Sequence, residues 1–252
     1  MKKTLCVVLI TAMLLSLMPM VVFADTTPTG TAINTLADLK GMKNNGTYYL
    51  NADITINEDW NFLPGASGSE WKWENATLDG NGHTIYYADG IKITAGFVRE
   101  ANNITIKNLN IKQLGTATYI GNDNGGEVSA LIRRVVGGTI NITDVSIYAN
   151  IVITSENGAN QCGGFVSQAN GGTINLTRCV FDGSITKEHT NDGDKKGVAG
   201  MIGGCWNSTT YNMTECINYA DITSANSAGG FFGCYRGGAW DGNDSRTFKI
   251  TQ

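Results

Sequence analysis

Ala95-Gly96-Phe97-Val98, Ser129-Ala130-Leu131-Ile132, Gly163-Gly164-Phe165-Val166, Ala199-Gly200-Met201-Ile202 and Gly229-Gly230-Phe231-Phe232 are five versions of one line, and their reading decides the fold. The anchors Phe97, Leu131, Phe165, Met201 and Phe231 stand 34, 34, 36 and 30 residues apart. Four of the lines are followed by a second one: Ile104-Thr105-Ile106-Lys107-Asn108-Leu109, Ile140-Asn141-Ile142-Thr143-Asp144-Val145, Ile174-Asn175-Leu176-Thr177-Arg178-Cys179 and Tyr211-Asn212-Met213-Thr214-Glu215-Cys216. Self-similarity at such a period marks a stack of like structural units.

A strand sends alternate side chains to opposite faces. Ile106, Ile142, Leu176 and Met213 therefore form one inward column, and Leu109, Val145, Cys179 and Cys216 another. Between them Lys107, Thr143, Thr177 and Thr214 face outward or turn a corner. A further strand follows in each unit, carrying Ile111; Ile147, Ile151 and Ile153; Phe181 and Ile185; and Tyr219 and Ile222. Three short strands per unit predict an all-β fold, a right-handed parallel β-helix (a β-solenoid, pectin-lyase-like). One coil takes up about 34 residues, and coils stack about 4.8 Å apart. A single coil buries too little apolar surface to fold, so stability comes from stacking. Gly96, Gly164, Gly200 and Gly230 suit close corners.

Upstream, Asp79-Gly80-Asn81-Gly82-His83 separates two alternating segments. Such a turn ordinarily closes a hairpin. In a solenoid it can instead turn a corner, and the downstream period favours the corner. Thr35-Leu36-Ala37-Asp38-Leu39 reads as a short helical turn able to cover the first coil. Trp60, Phe62, Trp71 and Trp73 crowd a loop around Pro64-Gly65 and pack locally against the cap or first coil.

Met1-Lys2-Lys3, an apolar run from Leu5 to Phe23 and a small residue at Ala24 predict a signal peptide over residues 1–24. A leader then covers 25–32, a capping region with the first coils 33–94, and repeat coils of the same domain 95–252. The final Phe248-Lys249-Ile250 resembles the start of another second line. No cap follows it, so a fragment, a covering partner or the Trp240 loop is expected at this end.

The 18 basic residues, less Lys2 and Lys3, leave 16 against 22 acidic ones, a formal charge of -6. With no basic cluster, nucleic acid is excluded as a partner. After cleavage no apolar segment is long enough to span a membrane. The 32 glycines and 26 asparagines suit many tight turns.

Tyr48-Tyr49-Leu50-Asn51-Ala52-Asp53-Ile54, Leu78-Asp79-Gly80-Asn81-Gly82-His83-Thr84-Ile85 and the lines at 95–98 and 104–109 carry a resemblance. The chain is similar to secreted or surface bacterial β-helix proteins with GLUG-type repeats, also found in the non-catalytic region of some immunoglobulin-A-cleaving peptidases. The likeness covers about residues 33–235. Gly203 and Gly233 supply the closing glycine of the motif, while Arg99, Arg133 and Ser167 replace it in the other units. The resemblance implies a stalk, adhesive or presentation module with no catalytic residue. The peptidases' His-Glu-x-x-His zinc pattern is absent.

Candidate sites follow from residue types. His83 and His189 are the only histidines and lie apart, so His83 reads as a structural corner residue. Asp144, Arg178 and Glu215 share a register and read as a surface charge ladder; a pair of catalytic carboxylates would have to face one cleft. Asp182 and Asp221 lie nearby. Asn191-Asp192-Gly193-Asp194 and Asp241-Gly242-Asn243-Asp244 are oxygen-rich turns that hold open calcium, although neither is a complete calcium loop. No other metal or cofactor is implied. Cys179 and Cys216 read as stacked buried thiols, with a disulfide as the alternative, and Cys205 and Cys234 as a second stack. Asn-x-Thr recurs at Asn103, Asn141, Asn175 and Asn212, which read as one repeat position. Trp206, Tyr235 and Trp240 could bind a glycan or protein, or cover the coil end.

These features predict a secreted or cell-surface structural, adhesive module that presents an extended face to a glycan or extracellular protein. The alternative is a polysaccharide lyase or glycoside hydrolase of pectin-lyase-like fold. An ice-binding face would need more regular outward threonine rows than Thr143, Thr177 and Thr214 supply. Fold by itself does not choose among these.

Overall fold

The computed structural model describes residues 27–61, 72–120, 126–154, 161–188, 197–225, 227–235 and 247–251, with the backbone alone for 206–208, 234–235 and 247–248. The expected signal peptide, the oxygen-rich turns at 191–194 and 241–244, His189, Phe62, Pro64, Gly65, Trp71 and Trp240 lie outside these residues.

Every strand pairing among the described residues is parallel, and the chain winds as a right-handed β-solenoid. One coil runs through Glu127–Ser129, turns at Ala130 and Leu131, and continues through Ile132–Gly137 and Thr139–Ile153. The next repeats it with Gln161–Gly163, Val166–Thr177 and Val180–Lys187. Leu78, Ile106, Ile142, Leu176, Met213 and Ile250 align across six coils. All but Ile250 are buried, as are Phe97, Leu131, Phe165 and Met201; Phe231 is only partly buried. Val98–Gln113 and Lys72–Asp79 continue the stack toward the N-terminus. There Thr31–Ile33 pairs with Thr47–Leu50.

The helix at this end spans Leu36–Lys40. The Thr35 hydroxyl accepts from the Asp38 N–H, while the Asp38 carboxylate accepts from the Thr35 N–H, a capping box that satisfies two otherwise orphaned donors. Leu39 and Met42 are buried in the core. Trp60 and Trp73 belong to that core as well, not to a local loop cluster. Trp60 stacks on Phe97 at 5.7 Å and donates to its carbonyl.

Two devices hold the corners. Asn108, Asp144, Arg178 and Glu215 occupy one corner of successive coils, all left-handed, with φ of 51°, 55°, 49° and 54°. Asparagine tolerates this region better than arginine or glutamate. Asparagine ladders supply the second device. Asn103 donates to Asn75 (2.9 Å) and Asn75 to Asn45 (3.2 Å) at left-handed positions. Asn212 donates to Asn175 (2.7 Å) and Asn175 to Asn141 (2.8 Å) within the strands.

Three sequence expectations are corrected. Asn103 does not share a position with Asn141, because Thr105 is the residue paired with Asn141. Tyr219 is not inward: Phe181 pairs with Asn218, so alternation turns Tyr219 out, and it is 66% exposed. Cys205 pairs with Tyr235 and Cys234 with Gly204, which offsets the two cysteines by one residue.

Candidate functional site

Asp79–His83 forms a corner between Lys72–Asp79 and Thr84–Tyr87, which pair with Val98–Gln113 and not with each other. The Gly80 N–H donates to the Lys107 carbonyl and the Gly82 N–H to the Asn108 carbonyl, so the turn is stitched to the following coil. Gly80 is required by closeness: an added Cβ would strike the Asn108 carbonyl. Asp79 accepts from the Asn81 N–H (2.8 Å) and the Asn108 amide (3.0 Å), and pairs with Lys107 (3.0 Å). Burial raises its pKa, but these hydrogen bonds and the Lys107 charge outweigh that and hold it below the ordinary value. The Asn81 amide donates to the Leu50 carbonyl, on the other side of the corner. His83 Nδ1 lies 3.2 Å from Asp53 Oδ1, which also accepts from the Thr84 N–H.

At the left-handed corner the Asp144–Arg178 pair of the expected ladder is in contact. Arg178 donates to both Asp144 oxygens, from Nε at 2.6 Å and from Nη2 at 2.7 Å, a fork-on-carboxylate geometry. These bonds, more than the Glu215 charge on the next coil, raise the guanidinium pKa. Asp182 and Asp221 stand elsewhere, paired with Tyr148 and Ser184 on the strands that follow the corner. Trp206 and Tyr235 pair with Asn170 and Cys205 through their backbones. Among the described residues, no three His, Cys, Asp or Glu side chains gather as a metal site.

Cys162, Cys179 and Cys216 are free thiols. Cys179 and Cys216 share a hydrogen bond and direct their sulfurs to the Ile142 and Leu176 carbonyls, both at 3.4 Å. Ionisation falls to the more open member: the Cys179 hydrogen bond lowers the Cys216 pKa, while the same bond and burial raise that of Cys179. Burial likewise pushes the Cys162 thiol up.

A buried ion network escaped sequence reasoning. Arg133, 1% exposed, donates to Glu127 at 2.8 Å; Arg134 reaches Glu127 at 3.1 Å and Glu100 at 3.4 Å. Burial lowers the Arg133 pKa and the Glu127 charge opposes that shift. The network bridges two coils, because Glu100 pairs with Arg134 across the ladder. The adjacent arginines in an otherwise apolar segment were the available signal, but sequence offered no way to find their partners. Glu127 is 4% exposed and engaged by both guanidinia, so this carboxylate is part of a structural clamp.

The outward face beside the corner is open. Thr84, Asn110, Ser146 and Val180 stand in one column across four coils, and Tyr86, Lys112, Tyr148 and Asp182 in the next. They line a surface depression of about 380 Å³. Sequence reasoning missed it, since its residues come from four strands spread over roughly a hundred positions. In comparisons with family models, curated proteins and solved structures, nothing matches the chain.

Proposed function

We propose that the chain is an exported structural and binding module of the GLUG-repeat kind, whose solenoid presents an extended side-chain face to a glycan or protein outside the cell. The observation that carries this reading is the in-register outward face over Thr84–Tyr87 and its partners on three following coils, with a depression of ligand size on it. The basic and apolar start of residues 1–24 supports export. The buried columns beneath hold that face rigid, which lowers the ordering cost of binding.

The test is an array of glycans and extracellular-matrix proteins probed with the purified chain, with calcium and with chelator. Specific, saturable capture is expected. Silence on every surface by a folded chain would overturn the reading in favour of a purely structural segment. Depolymerisation of a spotted polysaccharide would replace it with the polysaccharide-cleaving alternative.

A further inference from the structure

The depression has a composition that narrows its occupant. Its lining runs in two columns, one of Thr84, Asn110 and Ser146 ending in Val180, the other of Tyr86, Lys112 and Tyr148 ending in Asp182. Backbone N–H and C=O groups here are engaged in the parallel ladder on both sides, so a guest cannot add as a strand and must be read by side chains. The Thr84 and Ser146 hydroxyls and the Lys112 ammonium have no hydrogen-bond or ion-pair partner among the described residues, and the Asn110 amide uses its Nδ2 on the Gly82 carbonyl and keeps its oxygen. Donors and acceptors are therefore both on offer, at successive rungs.

Tyr148 is 40% exposed and Tyr86 half-buried, so both present ring surface beside the polar groups of Thr84, Asn110, Lys112 and Ser146. A tyrosine combines an apolar face with a hydrogen-bonding tip. The two stand two rungs apart, about 10 Å at the usual strand spacing, with Lys112 between them. A pyranose ring has the matching character, a C–H face with a hydroxyl rim, and its length along an extended chain is comparable to one rung. A lipid or an apolar helix would leave Lys112 and Asp182 desolvated without partners. A nucleic acid would meet Asp182 and a chain with an acidic balance.

We infer that this depression binds a glycan chain lying along the solenoid axis, with sugar rings against Tyr86 and Tyr148 and hydroxyls on Thr84, Asn110, Ser146 and Lys112. The inference rests on the binding-module reading above and gives it a ligand class and a place.

The experiment is calorimetric titration of the purified full chain with cellohexaose, xylohexaose, mannohexaose and chitohexaose, followed by shorter members of whichever series binds. Binding by at least one hexamer is expected, with affinity falling as the chain is shortened below the span between the tyrosines. Tyr86→Ala and Tyr148→Ala should each weaken it roughly tenfold, the loss typical of an aromatic anchor. Tyr148→Phe should keep most of it, since the ring face remains. Urea midpoints matching the parent chain will show that the variants are folded. Hexamer binding unchanged in both alanine variants would overturn the groove while leaving the module reading intact. So would failure of all four hexamers by a chain that captures a protein on the array. Failure of hexamers and array together would remove both.

Discussion

Gly164 and Gly230 stand at the same corner two coils apart, and a methyl group would meet different surroundings at each. At Gly164 it would run into the Gly200 carbonyl and the Phe181 ring; at Gly230 the nearest atom is Asn218 Nδ2, 3.8 Å away. The contrast extends through the coils. Phe165 is fully buried and its counterpart Phe231 only partly so. Phe181 is fully buried, and the residue paired with it on the next coil is Asn218. The column that buries Ile142, Leu176 and Met213 ends in Ile250, 57% exposed. Equivalent letters of a repeat thus carry unequal energies, because an inward side chain is fully removed from water only when packed coils flank it on both sides.

The most direct way to break this comparison is to truncate both anchors. Phe165→Ala should cost about 3–5 kcal/mol, the usual loss for a buried phenylalanine, and Phe231→Ala roughly 1–2 kcal/mol, in proportion to its smaller burial. Urea unfolding measures both, and equal losses would mean that the two regions are alike. The corner glycines sharpen the same point. Gly164→Ala should destabilise by about 1–3 kcal/mol through overpacking, and Gly230→Ala by no more than about 0.5 kcal/mol.

Thiol reactivity reports on the same gradient without altering the core. Cys216, the more open of the pair and lowered by its hydrogen bond with Cys179, should be alkylated first under native conditions. Cys179 and Cys162, raised by hydrogen bonding or burial, should react only on unfolding. Mass-spectrometric mapping of a timed iodoacetamide pulse reads the order, and simultaneous labelling would contradict it.

The smallest expected effect is in acid. Asp38 and Asp89 are lowered chiefly by backbone hydrogen bonds from Asn34 and Thr116; at Asp79 burial opposes the shift, but the bonds from Asn108, Asn81 and Lys107 prevail. A depressed folded-state pKa contributes stability that is present above the unfolded value, 3.8, and is lost as pH falls through the folded value. The urea midpoint should therefore decline below about pH 3.8, and Asp79→Asn should shrink that decline. Loss of the Lys107 and Asn108 contacts would weaken the corner joining residues 79–83 to the following coil.

Much of the architecture was legible. The columns through Ile106 and Leu109, the anchors Phe97 and Phe165 and the corner at Asp79–His83 all follow from strand alternation repeated at one period, a local rule applied coil after coil. The misplacements have two sources. Ladder partners lie 28, 30, 34 or 37 residues apart, so a fixed offset misaligned Asn103; at Tyr219 the offset that pairs Leu176 with Met213 also pairs Phe181 with Asn218, so an asparagine takes the phenylalanine's place and the tyrosine beside it turns outward. The candidate face was harder still. Tyr86, Lys112 and Tyr148 have no motif in common, and Arg133 gives no hint in sequence that Glu127 and Glu100 surround it.

By itself, then, the sequence determined that this chain stacks parallel coils and which residues fill them, because inward alternation is written into each strand. Only the tertiary structure decided which outward side chains become neighbours, which coils are covered on both sides, and where a depression opens. Those outcomes depend on the register between strands tens of residues apart, and register is set by corner hydrogen bonds and core contacts that exist only once the coils are stacked.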